Sequence, residues 1–102
     1  MFPDYGHPIT PYLPTTGQAK IAVTSTAVML PITVPFKQII IIAKVTNTAD
    51  ILVGIESVAN TEDGTGTGVI VPPGASITMA ASDSIPLYIN GTSGDIISYI
   101  TN

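Results

Sequence analysis

Apolar residues recur along this chain in short runs rich in Ile, Val, Thr and Tyr, broken by Gly, Pro, Asn and Asp. Nowhere does an apolar spacing of three and four persist long enough for a helix. The pattern predicts eight strands, over Ala19–Thr24, Ala27–Leu30, Gln38–Thr46, Ile51–Ile55, Gly68–Val71, Ser76–Met79, Leu87–Asn90 and Ile96–Thr101. Short strands at this spacing suit a small antiparallel β-sandwich or jelly-roll-like domain better than a closed barrel. Turn chemistry agrees. Pro73-Gly74 fits the two central positions of a type II turn, where proline presets φ and glycine supplies the positive one. Asn90-Gly91 and Asp63-Gly64 mark further reversals.

One run breaks the alternation of a strand with one wet face. In KQIIIIAKV, Lys37 to Val45, residues Ile39, Ile41, Ala43 and Val45 face one side of a sheet, and Ile40 and Ile42 the other. A strand apolar on both faces is unusual in so small a domain. Two readings stand side by side: the chain's own loops or N-terminal segment cover Ile40 and Ile42, or another subunit does. Lys37 and Lys44 flank the run, as charges guarding an aggregation-prone strand do.

The first seventeen residues, MFPDYGHPITPYLPTTG, form a separate block. Four prolines (Pro3, Pro8, Pro11, Pro14) and three aromatics (Phe2, Tyr5, Tyr12) fall in its first fourteen positions. Each proline fixes φ near −65° and biases the residue before it toward extended conformations, so the block reads as a stiffened arm. At about 3.1 Å per residue, it reaches on the order of 50 Å. The organisation expected is therefore an arm over 1–17 and a β-sandwich domain over 18–102. Aromatics on an arm without a core of its own call for a surface to bury against, each contributing roughly 1.5–3 kcal/mol when fully covered.

Composition narrows the partners. Only 10% of the 102 residues are charged while 45% are apolar, so the usual solvated shell is thin and much of the surface is expected to meet protein. There is no Arg, and three Lys are scattered among seven acids for a net charge of −4. Clustered cations that neutralise phosphates are missing, which argues against nucleic acid and against anionic membrane. No cysteine is present for a thiol nucleophile or a disulfide. No basic flank and apolar stretch marks a signal peptide, and the apolar runs fall far short of a span of about 20 residues.

Little chemistry is on offer. His7, the only histidine, sits between Gly6 and Pro8 with no partner at the spacing a catalytic base or zinc site needs, so packing in an interface is the expected role. TEDGTGTG, Thr61 to Gly68, lacks the Lys-Ser/Thr of a phosphate loop and the alternating Asp of a calcium loop, and reads as a hairpin loop. The remaining carboxylates lie mostly beside turns or strand ends. Asn90-Gly91-Thr92 matches a glycosylation acceptor in form only. Tyr88 and Tyr99 are expected to pack in strands with their hydroxyls at a polar rim. No enzyme and no cofactor or metal is expected.

The stretches AKIAVTSTAVMLP, QIIIIAKVTNT, ILVGIESV, GVIVPPGASITM and IPLYINGTSGDIISYI resemble small structural proteins of tailed bacteriophages. The matching positions are Leu30-Pro31, Asn47, Val53-Gly54, Pro73-Gly74, Tyr88 and Gly94-Asp95. They are turn and strand signals, not a catalytic signature, and cover roughly residues 18–102. Asn47-Thr48-Ala49 departs from an expected Asn-Thr-Gly, and the arm lies outside the pattern. The resemblance implies a β-sandwich on the capsid surface of the virion, a decoration or cement protein that binds the major capsid protein and copies of itself. Trimers would fit the positions capsid symmetry offers. The expected contacts are Phe2, Tyr5, His7 and Tyr12 on the arm and Ile40 and Ile42 on the sheet. A tail, neck or head-fibre attachment protein is the alternative, and a small ligand- or carbohydrate-binding module a second.

Overall fold

The computed structural model describes residues 14–32, 36–59, 64, 66–80 and 86–102. Among the described residues eight strands follow one another: β1 (Thr15–Lys20), β2 (Val28–Met29), β3 (Gln38–Ala43), β4 (Ile51–Gly54), β5 (Val69–Val71), β6 (Ser76–Ala80), β7 (Tyr88–Asn90) and β8 (Ile96–Thr101). They form two four-stranded antiparallel sheets, one ordered β1-β8-β3-β6 and the other β2-β7-β4-β5. Every connection except β4–β5 passes from one sheet to the other. That interleaving is the double Greek key of a jelly roll, in which each sheet closes over the apolar face of its partner.

Alternation decides what goes inside. From the first sheet Ile39, Ile41, Ala43, Ile97 and Tyr99 point inward; from the second Ile51, Val53, Val71 and Ile89 meet them. Ile39, Ile41, Ile51, Ile89 and Ile97 are fully buried, each contributing about 1.5–3 kcal/mol of hydrophobic stabilisation before entropy is charged against it. β-Branched side chains suit this pleated interior, since their restricted χ1 costs little in a strand.

β1 begins at Thr15 and ends at Lys20, not over Ala19–Thr24. Thr15-Thr16-Gly17, which close the proline-rich block, are laddered to β8 in the register Thr15–Thr101, Thr16–Ile100, Gly17–Tyr99. Pro14 is the last proline of that block, so the amides of Thr15 to Lys20 are free to donate to that ladder. Beyond Lys20, Ile21 stays buried and pairs its amide with the Asp95 carbonyl at 2.9 Å. Val23 has left the sheet and is exposed.

β3 also stops early, at Ala43, and Val45 is 74% exposed instead of facing the core. The cause is Asn47. Its amide side chain copies a strand's hydrogen-bonding edge, donating to the Ile96 carbonyl and accepting from the Ile96 amide, both at 2.9 Å. With that position taken, the chain turns, and the Asn47 amide closes on the Lys44 carbonyl at 3.0 Å. Beside it the buried Asp95 carboxylate accepts from the backbone amides of Thr48 at 2.9 Å and Ala49 at 3.2 Å and from the Thr48 hydroxyl. The β3–β4 turn is thus fastened to the start of β8.

Two type II turns carry the glycines that sequence marks for positive φ. Pro72–Ala75 closes with an amide–carbonyl bond of 2.9 Å and has Gly74 at φ 80°; Thr92–Asp95 closes at 3.0 Å with Gly94 at φ 94°. Asn90-Gly91 is not itself the reversal. Asn90 ends β7, buried, and its side-chain nitrogen donates to the Val58 carbonyl at 3.0 Å. Val58 belongs to the β4–β5 connection, which folds over the outer face of the second sheet and buries Leu52 there. Gly68 permits that closure. A Cβ on it would stand 2.6 Å from Val58 Cγ2 and 2.9 Å from Leu52 Cβ.

Candidate functional site

The outer faces of the two sheets differ. The second is partly roofed by the β4–β5 connection, as Leu52 shows. The first presents, by strand alternation, Thr16, Gln18 and Lys20 on β1, Ile100 and Ser98 on β8, Ile40 and Ile42 on β3, and Ser76 and Thr78 on β6. Register sets these in rows across the strands. One runs Thr16–Ile100–Ile40–Thr78, and the next Gln18–Ser98–Ile42–Ser76. The centre is therefore an isoleucine strip with short hydroxyl side chains on either side, and Lys20 is the one charge among the outward strand positions.

Ile40 is half-buried, while Ile42 is 44% and Ile100 40% exposed. Among the described residues, the other exposed large apolar side chains are not lined up in one row across neighbouring strands: Met29 lies on β2 at an edge of the second sheet. Val69 and Ile70 are adjacent on β5 and so point to opposite faces. Val23, Val45 and Ile55 lie outside the strands or at their ends.

At one end of the strip the surface dips into a cavity of about 250 Å³ lined by Pro14, Gln38, Ile40, Ile100, Thr101 and Asn102. Its lining is mostly apolar, with Gln38, Thr101 and Asn102 as its polar members. The start of β1 and the end of β8 meet here. Asn102 is held by reciprocal backbone bonds with Gln38, its amide donating at 2.9 Å and its carbonyl accepting at 3.3 Å. Pro14, directly before β1, forms one wall.

Ile40 and Ile42 thus stand on one surface, as the sequence predicts. Phe2, Tyr5, His7 and Tyr12 lie outside the described residues. Ile100 was missed, although parity reveals it: with Ile97, Tyr99 and Thr101 inward, the intervening positions of β8 must point outward. Tyr99 packs inward at 6% exposure. Asn90 presents no free amide to a glycosyl donor, because that nitrogen is buried and bonded to Val58.

Among the described residues no three His, Asp or Glu side chains are grouped to hold a metal ion. Of the Thr61–Gly68 loop, Gly64 adopts φ 93° and the Thr67 hydroxyl donates to the Ser57 carbonyl at 3.2 Å. Those are loop-closing features. The cavity is also below the range of roughly 300–1,000 Å³ typical of pockets that enclose a drug-sized ligand.

No family model matches this sequence, and no curated protein does. Among solved structures, a chain reported under "Bacillus endospore appendages form a novel family of disulfide-linked pili" aligns over 88% of this chain and 87% of its own, at 15% identity and a TM-score of 0.44. At that score the likeness carries no weight for function.

Proposed function

We propose that this chain is a non-enzymatic structural protein of a phage virion, a decoration or cement protein that binds the major capsid protein and stabilises the shell. The observation that carries the reading is the strip of Ile40, Ile42 and Ile100 on an almost uncharged outer sheet face. An apolar strip rimmed by hydroxyls is what a protein partner covers. The jelly roll supports it by analogy, since viral coat domains use this architecture, although lectins and cupins do too. The sequence resemblance to small phage virion proteins supports it independently.

The mechanism is additive burial. Each copy contributes a modest apolar contact, the N-terminal arm extends that contact onto a neighbour, and repetition over a symmetric shell turns weak single contacts into resistance to internal pressure. Imaging of particles tests it. Decoration expects density for this chain repeated over the shell lattice. A few copies confined to the neck, tail or a fibre would replace it with the attachment reading, and absence from particles would end both.

A further inference from the structure

We propose that Asn90-Gly91 is a one-way modification site: the native fold holds the pair chemically inert, and a chain that unfolds deamidates there and does not return. The inference stands apart from decoration, because it concerns how long a copy survives and not what it binds.

Asn-Gly is the dipeptide most open to this chemistry, since glycine has no Cβ to shield its own backbone nitrogen. Asn90-Gly91 is the single such pair in the sequence; Asn47 and Asn60 each precede Thr. In the reaction the Gly91 amide gives up its proton, its nitrogen bonds to Asn90 Cγ, and the Cγ–Nδ2 bond breaks. Nδ2 takes up a proton and leaves as ammonia. Water then opens the succinimide ring at either carbonyl carbon, leaving aspartate or isoaspartate. No oxidant or reductant is needed.

The fold opposes each stage. The Gly91 amide donates to Asn90 Oδ1 at 2.8 Å. Its proton is committed, and the side-chain carbonyl lies along the N–H bond, in the peptide plane, whereas attack on Cγ uses the face of the nitrogen perpendicular to that plane. The leaving group is tied as well, with Nδ2 donating to the Val58 carbonyl at 3.0 Å. Turning the side chain to present Cγ would break that bond and strand a buried carbonyl. Asn90 is 2% exposed, which keeps out the water and hydroxide that both steps use. Its backbone is fixed opposite Leu52 in the β4–β7 ladder.

Unfolding removes all of these restraints, and neither product fits back. An aspartate at this position still accepts from the Gly91 amide but has lost the donor, so a buried carboxylate oxygen would face the Val58 carbonyl with no proton between them. An isoaspartate adds a methylene to the main chain at the end of β7. That displaces Gly91, whose carbonyl receives the Ser25 amide at 3.0 Å. Survival of the folded protein is then set by how often it opens.

The fold does not itself demand glycine at this position. The φ of Gly91 is not positive, and a Cβ on it would meet the Asp50 carbonyl and Ile51 Cγ1 at 3.4 Å, the near limit of ordinary contact. Alanine is therefore expected to fold there while shielding the nitrogen of the unfolded chain.

In the test, the full-length protein is held in mildly alkaline buffer, folded or in guanidinium chloride, and sampled over days by peptide mass spectrometry and by refolding yield. The expected result is conversion of Asn90 many-fold faster in denaturant, with yield falling in step with the unconverted fraction. Gly91→Ala should convert at least several-fold more slowly and keep its yield. Conversion as fast in the folded protein overturns the proposal. So does a converted chain that refolds with parental melting, or a yield that falls equally in Gly91→Ala, which assigns the loss to aggregation. If Gly91→Ala does not fold, Asn90→Asp made directly decides: failure to refold upholds the proposal, and parental melting overturns it.

Discussion

The ring of Tyr99 lies across Gly17 on the neighbouring strand, so close that a Cβ at Gly17 would stand 2.5 Å from the Tyr99 hydroxyl oxygen and 2.7 Å from Cζ. The two are directly opposite in the β1–β8 register. Aromatic cover of a strand glycine protects backbone that would otherwise be open, and ties β1 to the core. Gly17→Ala is expected to cost about 1–3 kcal/mol by overpacking, and Tyr99→Ala about 3–5 kcal/mol. In chemical denaturation the double variant Gly17→Ala/Tyr99→Leu should recover part of the first loss, because shortening the ring makes room. Strict additivity would remove the packing explanation.

That pair also shows what was legible in the sequence. Eight strands could be read because Ile and Val mark them, and the inward parity of Ile39, Ile41 and Ala43 followed from alternation. The start of β1 was not legible. Thr15, Thr16 and Gly17 have no apolar pattern, and Gly17 is stabilised by a ring eighty-two positions later, 99 less 17. Val45 failed for a similar reason: the Asn47 side chain outcompeted a continued ladder. Leu52 is buried on the outer face although its strand pattern gives no sign of it; Val58, in the β4–β5 connection, is brought close on the far side of Gly68.

The Asp95 clasp carries a second expectation. Its buried carboxylate satisfies two backbone amides and a hydroxyl of the β3–β4 turn. Hydrogen bonds to a charged group contribute about 1.5–3 kcal/mol, so Asp95→Ala should lower stability by at least about 2 kcal/mol. Thr48→Val keeps both amides bonded and loses only the hydroxyl, about 1 kcal/mol. Equal effects in urea titrations would show that the amides contribute nothing.

Ser25 holds φ at 64°, the one non-glycine at positive φ among the described residues. Its amide bonds the Gly91 carbonyl at 3.0 Å, which fixes the β1–β2 turn against the β7–β8 turn. A left-handed conformation costs an ordinary residue roughly 1–2 kcal/mol. Ser25→Gly is therefore expected to be neutral or stabilising by up to about 1 kcal/mol, offset in part by the freer unfolded chain. Ser25→Val should destabilise by more than about 1 kcal/mol, since a β-branched side chain fits that φ worst. Thermal melts of the pair decide it, and a Val variant as stable as the parent would deny that the turn is strained.

The surface strip separates folding from assembly. Ile42 and Ile100 are each about two-fifths exposed and point away from the core. Substitution at such positions usually shifts stability by no more than about 0.5 kcal/mol. Ile42→Lys and Ile100→Glu should therefore fold with near-parental melting, while a buried charge without a counter-ion would cost several kcal/mol in any interface that covers the strip. Binding to particles, measured by co-sedimentation, should fall by at least about a hundredfold for that penalty, since each 1.4 kcal/mol is tenfold. Val69→Lys on β5, at similar exposure, should leave binding unchanged. If the strip variants bind as the parent does, the isoleucines are incidental exposure, and the docking surface must be sought on the arm alone.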